Sequence, residues 1–330
     1  MLTGRDVREL LTIQDCITAV EDAFRRHGDG SAAKPGVLGV PAHGGGFHIK
    51  AGLLELARPY FAAKVNGNFP ESAARFGLPT IQGVIVLCNS ASGELLAVMD
   101  SIEITSQRTA AATAVAAKYL ARRNSRTATI CGCGVQGRAQ LEALACVLAL
   151  EKAYAYDQDA ETTRSFAGEL SSRLGIEVQV VDDLRAATLR SDVCVTCTPS
   201  QQALLGPNDV AMGTFVAAVG ADSPVKQEIA PDLLASAKII VDVLEQSLTI
   251  GDLHHAVEAG VVTASDVYAE LGAIVAGKKP GRTSEEETFI FDSTGMALQD
   301  VAAAAAVYEN ALRAKAGLVL DLALAAKRPA

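Results

Sequence analysis

The stretch from Thr127 to Asp157 constrains the fold of this chain more than any other. An apolar run at 127–131 leads directly into a glycine motif, and a second short apolar run at 153–156 follows an amphipathic segment. The motif reads Gly132-Cys133-Gly134-Val135-Gln136-Gly137. Asp157 follows about 20 residues after the motif, the spacing of an acid in a dinucleotide-binding βαβ unit. The order strand, glycine turn, helix, strand and acid therefore predicts a dinucleotide site.

Each position of the motif has a predicted role. Gly132 permits the tight turn, Gly134 lets the backbone approach the pyrophosphate, and Gly137 allows the helix to pack closely on the strand. The residues between them, Val135 and Gln136, open a helix whose N-terminus attracts phosphate. Asp157 can accept a hydrogen bond from a ribose 2′-OH but repels a 2′-phosphate, so the cofactor is predicted to be NAD(H).

The composition excludes several classes of partner. The 330 residues carry a formal charge of −9 and no basic run, which argues against nucleic acid and anionic membranes. We expect no secretory signal, and no apolar stretch reaches the roughly 18 residues that span a bilayer. The seven cysteines lie mostly in apolar runs, which favours free thiols and a cytoplasmic location. No metal site is predicted, because Cys194 and Cys197 lie in a strand-like run without a second pair.

Residues 127–243 alternate between strand and helix patterns. Further strands are predicted at 176–181, 193–198, 214–219 and 238–243, and Gly175 is predicted to end a helix with Phe166, Leu170 and Leu174 on one face. Runs that are apolar on both faces indicate a parallel sheet covered on both sides. The fold class is therefore α/β, with a Rossmann-type doubly wound parallel sheet.

The first hundred residues read differently. A helix is predicted at 13–26, followed by short alternating runs that indicate a mostly antiparallel or mixed sheet. These runs lie at 47–50, 60–66, 81–88 and 94–99. A helix at 110–120 bridges to the parallel sheet, and an alanine-rich helix at 297–327 can return to the first region. We therefore predict two domains: an α+β domain of residues 1–115 with 300–330, and a dinucleotide-binding domain of residues 116–299.

Four residues at junctions of loops and apolar runs are candidates for chemistry. Lys64 lies inside a strand-like run, so it either faces water at an edge or provides the counter-charge for an anion. Arg108 is predicted in the first turn of a helix, where a cation opposes the dipole unless an anion is near. Thr80 lies at a turn before a strand. Asp222 follows the strand at 214–219, at the end of the sheet where ligands bind, although it could simply form the turn.

Together these segments resemble the ornithine cyclodeaminase/mu-crystallin family. The matching motifs are Lys64-Val65-Asn66, Gly77-Leu78-Pro79-Thr80, Arg108-Thr109-Ala110-Ala111, Gly132-x-Gly134-x-x-Gly137, Gly220-Ala221-Asp222-Ser223-Pro224 and Phe291-Asp292-Ser293-Thr294-Gly295. They occur in the family's order over nearly the whole chain. The resemblance implies an α+β substrate-binding and dimerisation domain, an active site in the cleft between the domains, and a homodimer.

The resemblance also implies residue roles. Lys64 and Arg108 would hold the α-carboxylate of the substrate, and Lys64 is also counted with the catalytic groups. Thr80 would line the pocket, and Asp222 would be the acid/base group. Near the nicotinamide, the cofactor set would be completed by residues of three loops, namely Thr198, Gly220 and Ser293.

Two departures from the family pattern are visible. Family members commonly carry an arginine shortly after a proline near the N-terminus, but here Lys34-Pro35 is followed by no arginine before Arg58. Lys50 or Lys34 could supply the missing charge. In addition, Lys64 is not followed by the histidine-proline-lysine sequence of the ornithine-cyclising branch, which favours the branch of imine reductases and amino-acid dehydrogenases.

We therefore expect an NAD(H)-dependent oxidoreductase that acts on the Cα–N bond of a small amino or imino acid. Examples are reduction of Δ1-pyrroline-2-carboxylate or an alanine-type dehydrogenation. The alternatives are an ornithine cyclodeaminase that uses NAD⁺ catalytically and a non-catalytic ligand-binding protein like mu-crystallin. No histidine is required, and His254 and His255 are expected on the surface of a helix.

Overall fold

Two sheets of different character organise the chain. The computed structural model describes residues 1–320. The first part contains α1 (Gly4–Leu10), α2 (Ile13–Asp29), β1 (Gly36–Ala42), β2 (Gly45–Glu55), β3 (Pro59–Asn68), α3 (Ser72–Phe76), β4 (Ile81–Asn89), β5 (Leu95–Asp100) and α4 (Ile102–Leu120). The second part contains β6 (Thr127–Cys131), α5 (Val135–Val147), β7 (Lys152–Tyr156), α6 (Ala160–Leu174), β8 (Glu177–Val180), α7 (Leu184–Thr188), β9 (Val193–Thr196), β10 (Gln201–Leu205), β11 (Phe215–Ala218), β12 (Gln227–Ile229), α8 (Pro231–Ala235), β13 (Lys238–Val241), α9 (Leu244–Ser247), α10 (Asp252–Glu258), β14 (Val267–Glu270), α11 (Leu271–Val275), β15 (Phe289–Asp292) and α12 (Ala297–Ala314).

The second sheet confirms the predicted doubly wound architecture. Its eight strands run in the order β14-β13-β15-β11-β9-β6-β7-β8, and every neighbouring pair is parallel. β9, β11 and β15 are buried along their whole length, which explains why their sequences are apolar on both faces. The strand order reverses between β6 and β9, and this switch point opens a crevice at the carboxyl ends of the strands.

The first sheet is antiparallel, with the order β1-β2-β3-β4-β5. Its register places Lys50 of β2 directly opposite Lys64 of β3, so both side chains point to the same face. Helices α2 and α12 pack against each other, and α12 packs against β2 and β3. A Cβ at Gly52 of β2 would lie 2.9 Å from Leu298 of α12, which shows how closely the helix approaches the sheet.

The helix containing Arg108 begins earlier than predicted. α4 starts at Ile102, so Arg108 lies in its second turn and not in its first. The reason is local: the Asp100 carboxylate accepts hydrogen bonds from the backbone N–H groups of Ile102 and Glu103, which satisfies two of the free donors of the helix N-terminus. The helix dipole is therefore not the reason for an anion near Arg108, although the structure does place one there, Asp300.

The C-terminal helix is shorter than predicted. α12 ends at Ala314, and Lys315 adopts a left-handed conformation with φ 53°. The chain then turns to the N-terminus, where the Leu318 N–H donates to the Met1 carbonyl. Residues 321–327 of the predicted helix lie outside the described residues. Five strands, β1, β10, β12, β14 and β15, were not identified from the sequence; the last four have three to five residues each, which gives little periodicity.

Among the described residues no helix combines the length and hydrophobicity needed to cross a bilayer.

Close packing of α2 on α11 generates a stability prediction. A Cβ at Gly28 of α2 would overlap the Gly272 carbonyl at α11, and backbone atoms cannot move aside as a flexible side chain can. We expect Gly28→Ala to lower the free energy of unfolding by about 1–3 kcal/mol. Gly168→Ala is the matched control, since Gly168 lies within α6 and a Cβ there meets nothing within 4 Å. It should leave stability unchanged or raise it by up to about 1 kcal/mol. Equal melting temperatures for the two variants would contradict the prediction.

Candidate active site

A cleft of about 850 Å³ lies between the first sheet and the loops that follow the parallel strands. One wall carries Lys50, Lys64 and Arg108, and the other carries Asp222 and Thr294. These residues come from β2, β3, α4 and the ends of β11 and β15, which are distant in sequence. The structure therefore brings together the predicted carboxylate-binding cations and the predicted acid/base group.

The cationic wall is built around a buried carboxylate, Asp300 of α12. Lys64 Nζ lies 2.8 Å from Asp300 Oδ2, and Arg108 Nε donates to Asp300 Oδ1 at 3.1 Å. Arg108 Nη1 also donates to Gln299 Oε1 at 2.9 Å. Lys64, Arg108 and Asp300 are all buried. Sequence reasoning missed Asp300 and Gln299, although an acid at the start of an alanine-rich helix was a detectable signal.

Lys50 completes the wall. Its ammonium group donates to the backbone carbonyls of Thr294 at 3.0 Å and Gly295 at 2.6 Å, and an ammonium has a third donor to offer. Gly295 has φ +85°, and a Cβ there would lie 2.7 Å from Arg108 Nη1 and 3.2 Å from Lys50 Nζ. Glycine at 295 therefore allows two cations to meet at the end of β15. Three cations against one contacting carboxylate leave this wall positive.

Burial changes the ionisation of these groups. It lowers the pKa of Lys64 to about 7, even though Asp300 acts in the opposite direction. Burial, followed by the charge of Arg108, also lowers the pKa of Lys50. Burial opposes ionisation of Asp300 as well, but Lys64 and Arg108 hold the pKa of Asp300 below its usual value. An anion arriving in the cleft would favour the charged form of both lysines.

The opposite wall carries Asp222, which lies in the loop after β11 and is 53% exposed. Its Oδ1 atom lies 2.7 Å from the ammonium of Lys226, which also lines the cleft. At the mouth, Lys34 Nζ lies 2.5 Å from Glu245 Oε2, and both side chains are about three-quarters exposed. Of the two lysines considered as replacements for an arginine, Lys50 therefore lies within the cationic wall and Lys34 at the entrance.

The glycine loop has the predicted geometry. Gly132 has φ +101°, and a Cβ at Gly137 would overlap the Gly132 carbonyl, so both positions require glycine for the turn and for packing. A Cβ at Gly134 would meet no protein atom within 4 Å. The missing side chain at Gly134 therefore leaves room for a ligand to approach the backbone. Val135 begins α5 with its side chain 72% exposed, and Gln136 Nε2 donates to the Ser106 carbonyl of α4.

Asp157 and the loops beyond β9, β11 and β15 surround the glycine loop. Asp157 Oδ2 accepts a hydrogen bond from the Cys133 N–H at 2.8 Å, so the acid lies against the motif. Thr198 lies close to Gly132, since a Cβ on Gly132 would be 3.1 Å from Thr198 Cγ2. The Ser293 hydroxyl is buried without a hydrogen-bond partner among the described residues, as expected for a group that binds a ligand. These residues fit a dinucleotide.

Some predicted residues are placed elsewhere. Thr80 is exposed and lies outside the cleft, which Ile81 lines in its place. His254 and His255 lie on α10 as expected, and both side chains are partly exposed. Together with Glu258 they bring potential metal-ligand atoms within 4.8 Å of one another, yet Nε2 of His255 already lies 2.8 Å from the Lys226 carbonyl. The absence of a metal site therefore stays a prediction.

Comparison with known proteins agrees with this arrangement of motifs. A sequence model of the ornithine cyclodeaminase/mu-crystallin family matches residues 1–315. The chain belongs to this family. It is 41% identical to the alanine dehydrogenase of Archaeoglobus fulgidus over 318 residues, which cover 96% of each chain.

Solved structures of relatives share the whole fold. One is an archaeal alanine dehydrogenase dimer with bound NAD, with 40% identity, a TM-score of 0.92, and coverage of 97% of this chain and 98% of that one. Another is the Δ1-pyrroline-2-carboxylate reductase of Thermococcus litoralis in complex with NADH and L-proline. It has 34% identity, a TM-score of 0.91, and coverage of 97% and 99% of the two chains.

The buried charge cluster generates a second prediction. Asp300→Ala removes the carboxylate that Lys64 and Arg108 share, and we expect the free energy of unfolding to fall by about 3–5 kcal/mol, since two buried cations lose their partner. The control is Glu177→Ala, which breaks an exposed pair with Lys152 at 2.8 Å and should cost less than about 1 kcal/mol. Chemical denaturation of both variants measures the difference. A similar cost for both would show that Asp300 is not essential to the cluster.

Proposed function

We propose that this protein is an NAD(H)-dependent oxidoreductase that interconverts a small α-amino acid and the corresponding imino acid. The observation that carries the proposal is the cleft itself, in which Lys50, Lys64 and Arg108 face Asp222 beside the ends of the parallel strands. Such a cleft suits a ligand with a carboxylate at one end and a nitrogen at the other. Relatives named alanine dehydrogenase and Δ1-pyrroline-2-carboxylate reductase share more than a third of its aligned residues.

The cofactor half of the site fits NAD(H). We propose that the backbone of the 132–137 loop and the start of α5 hold the pyrophosphate, while Asp157 accepts from the adenosine ribose. Thr198, Gly220 and Ser293 lie at the carboxyl ends of neighbouring strands, on the other side of the switch point, and would contact the nicotinamide half. When bound, the nicotinamide supplies or accepts the hydride.

The residues of this chain orient the substrate. Lys64, Arg108 and Lys50 would hold the carboxylate, so that Cα is presented at a fixed position, which is worth several kcal/mol of barrier when reacting atoms are aligned. Asp222 would take a proton from the substrate ammonium in one direction and return it to the nitrogen in the other. Because the Asp222 side chain is 53% exposed, it is accessible to an incoming amine.

We further propose that the domain division is that predicted from the sequence, with residues 1–115 and 300–330 binding substrate and residues 116–299 binding NAD(H). A cytoplasmic location is supported by the seven cysteines, all of which are free in the structure.

Net cofactor turnover tests the reaction. We expect NADH oxidation, measured by absorbance, with a 2-oxo acid plus ammonia or with a cyclic imino acid. We also expect kcat/KM to be at least about tenfold lower with NADPH, because Asp157 repels a 2′-phosphate. Asp222→Asn should lower kcat by about 10²–10⁴-fold with NADH still bound, since it removes the acid/base group. Ornithine conversion without net NADH change would favour the cyclodeaminase alternative. NADH binding without turnover of any substrate would favour a binding role.

The pH dependence of carboxylate binding tests the role of Lys64. Because burial lowers its pKa to about 7, Lys64 is charged below that pH and loses its proton above it. The inhibition constant of a simple carboxylate should therefore be lowest below about pH 7 and rise above it. Lys64→Arg should flatten this rise, since a guanidinium stays charged. A pH-independent inhibition constant in the unsubstituted protein would contradict the assignment.

We also propose a homodimer formed through the face of the first sheet opposite to Lys50 and Lys64. The register puts apolar side chains of four strands on this face, and several of them are exposed. They are Leu38 and Val40 of β1, Phe47 and Ile49 of β2, Val65 of β3 and Val84 of β4. A monomer would leave this patch in water, and the archaeal relative is a dimer.

A charge in this patch should dissociate the dimer. Leu38 is 56% exposed and its cross-strand partner is Ile49, so Leu38→Glu places a carboxylate among apolar side chains. We expect the mass in solution, measured by sedimentation, to change from dimer to monomer. Leu189→Glu is the control, because Leu189 is also exposed but lies after α7, away from this sheet. An unchanged mass for L38E would show that another surface forms the dimer.

A further inference from the structure

A buried carboxylate, Glu228 of β12, joins the two loops nearest the switch point. Its Oε1 accepts from the Thr198 N–H at 2.6 Å and from the Thr198 hydroxyl at 2.7 Å, and its Oε2 accepts from the Gly220 N–H at 2.8 Å. A Cβ at Gly220 would lie 2.7 Å from this carboxylate. Thr198 follows β9 and Gly220 follows β11, so one side chain fixes the separation of two adjacent strand ends.

Glu228 has no cation among its hydrogen-bond and ion-pair partners in residues 1–320. Burial raises its pKa, and the donors at Thr198 and Gly220 act against this. Behind it lies a second buried acid, Asp252, whose Oδ1 accepts from the N–H groups of Glu228 and Ile229, each at 2.7 Å. Desolvating carboxylates in this way is costly. The cost is compensated only while the donors of Thr198 and Gly220 remain in place, so Glu228 favours one relative position of the two loops.

The two loops that Glu228 holds lie on one side of the dinucleotide crevice. Asp157 follows β7, on one side of β6, whereas β9 and β11 lie on the other. In doubly wound folds the two halves of a dinucleotide bind on the two sides of the switch point. Asp222, the proposed acid/base group, is two residues after Gly220 and its N–H donates to the Gly220 carbonyl at 3.0 Å. The loops held by Glu228 are thus those of the nicotinamide half and the substrate.

We propose that Glu228 is a positioning residue for the nicotinamide half of the cofactor site, acting through Thr198 and Gly220 and touching neither cofactor nor substrate. The inference rests on the proposed function, because it requires a dinucleotide in the crevice. Binding of the adenosine half then depends on the glycine loop and Asp157, whereas binding of the nicotinamide half depends on Glu228.

Glu228→Gln tests this assignment with the full-length protein. An amide keeps the size of the side chain but has one oxygen, so one strand end faces an N–H₂ group in place of an acceptor. We expect the dissociation constant of NADH to rise by about tenfold, the effect of losing one hydrogen bond to a charged group. Binding of ADP-ribose, which lacks the nicotinamide, should change less than about twofold. NADH emission reports its binding directly, since the reduced nicotinamide is itself fluorescent.

Asp192→Asn is the control for a purely structural carboxylate. Asp192 Oδ2 accepts from the Arg126 and Thr127 N–H groups at the amino end of β6, at the end of the strands away from the crevice. This variant should lower the melting temperature while leaving the ratio of NADH to ADP-ribose affinity unchanged. If E228Q does not accumulate as folded protein, Glu228→Asp serves, since the shorter carboxylate cannot reach both strand ends and should show the same selective loss.

The outcomes separate the two proposals. Equal losses of NADH and ADP-ribose affinity in E228Q, or no loss of either, would overturn the positioning role while the proposed function stands. Failure of the unsubstituted protein to bind NADH would overturn the proposed function, and the positioning role with it. A selective loss of NADH affinity, with an unchanged ratio in D192N, supports both.

Discussion

The shared ion pair of Asp300 with Lys64 and Arg108 is the interaction on which the rest of the site depends. It connects β3, α4 and α12, three elements from both ends of the described chain. Buried charges are tolerated only when they are paired and hydrogen-bonded, so the C-terminal helix must pack where Asp300 meets both cations. The same contact that docks α12 therefore also fixes the two side chains that would hold a substrate carboxylate.

Buried carboxylates hold the loops on the other side of the crevice. The ends of parallel strands leave backbone N–H groups that need acceptors, and here buried carboxylates provide them. Glu228 serves the loops after β9 and β11, while Asp242 accepts from the Thr294 hydroxyl at 2.6 Å and from the Gly295 N–H. These two carboxylates are buried behind the crevice, where they hold the loops that carry Asp222 and Thr294 opposite the cations.

Features formed by residues close together in the sequence could be predicted from it, whereas features formed by distant residues could not. The glycine loop and Asp157 lie within one βαβ unit, so their spacing alone predicted their positions. Lys64 remained ambiguous locally, because only the register with Lys50 and the contact with Asp300, 236 positions away, decide that it faces the cleft. Family resemblance supplied that information, but it did not point to Asp300. Thr80 shows the reverse, a motif residue that the fold of this chain leaves outside the cleft.

The position of Lys64 and Arg108 opposite Asp222 also explains how one scaffold can serve relatives whose substrates have different side chains. If Lys64 and Arg108 fix the carboxylate and Asp222 faces the nitrogen, both groups on Cα are already oriented before the side chain makes any contact. The side chain is then directed into the remainder of the cleft, whose lining includes Val37, Ile81 and other apolar residues. Changes there would alter which substrate fits and would leave the charged contacts intact. Specificity and chemistry would thus depend on different side chains of one cleft, although Val37 and Ile81 lie on the same sheet as Lys50 and Lys64.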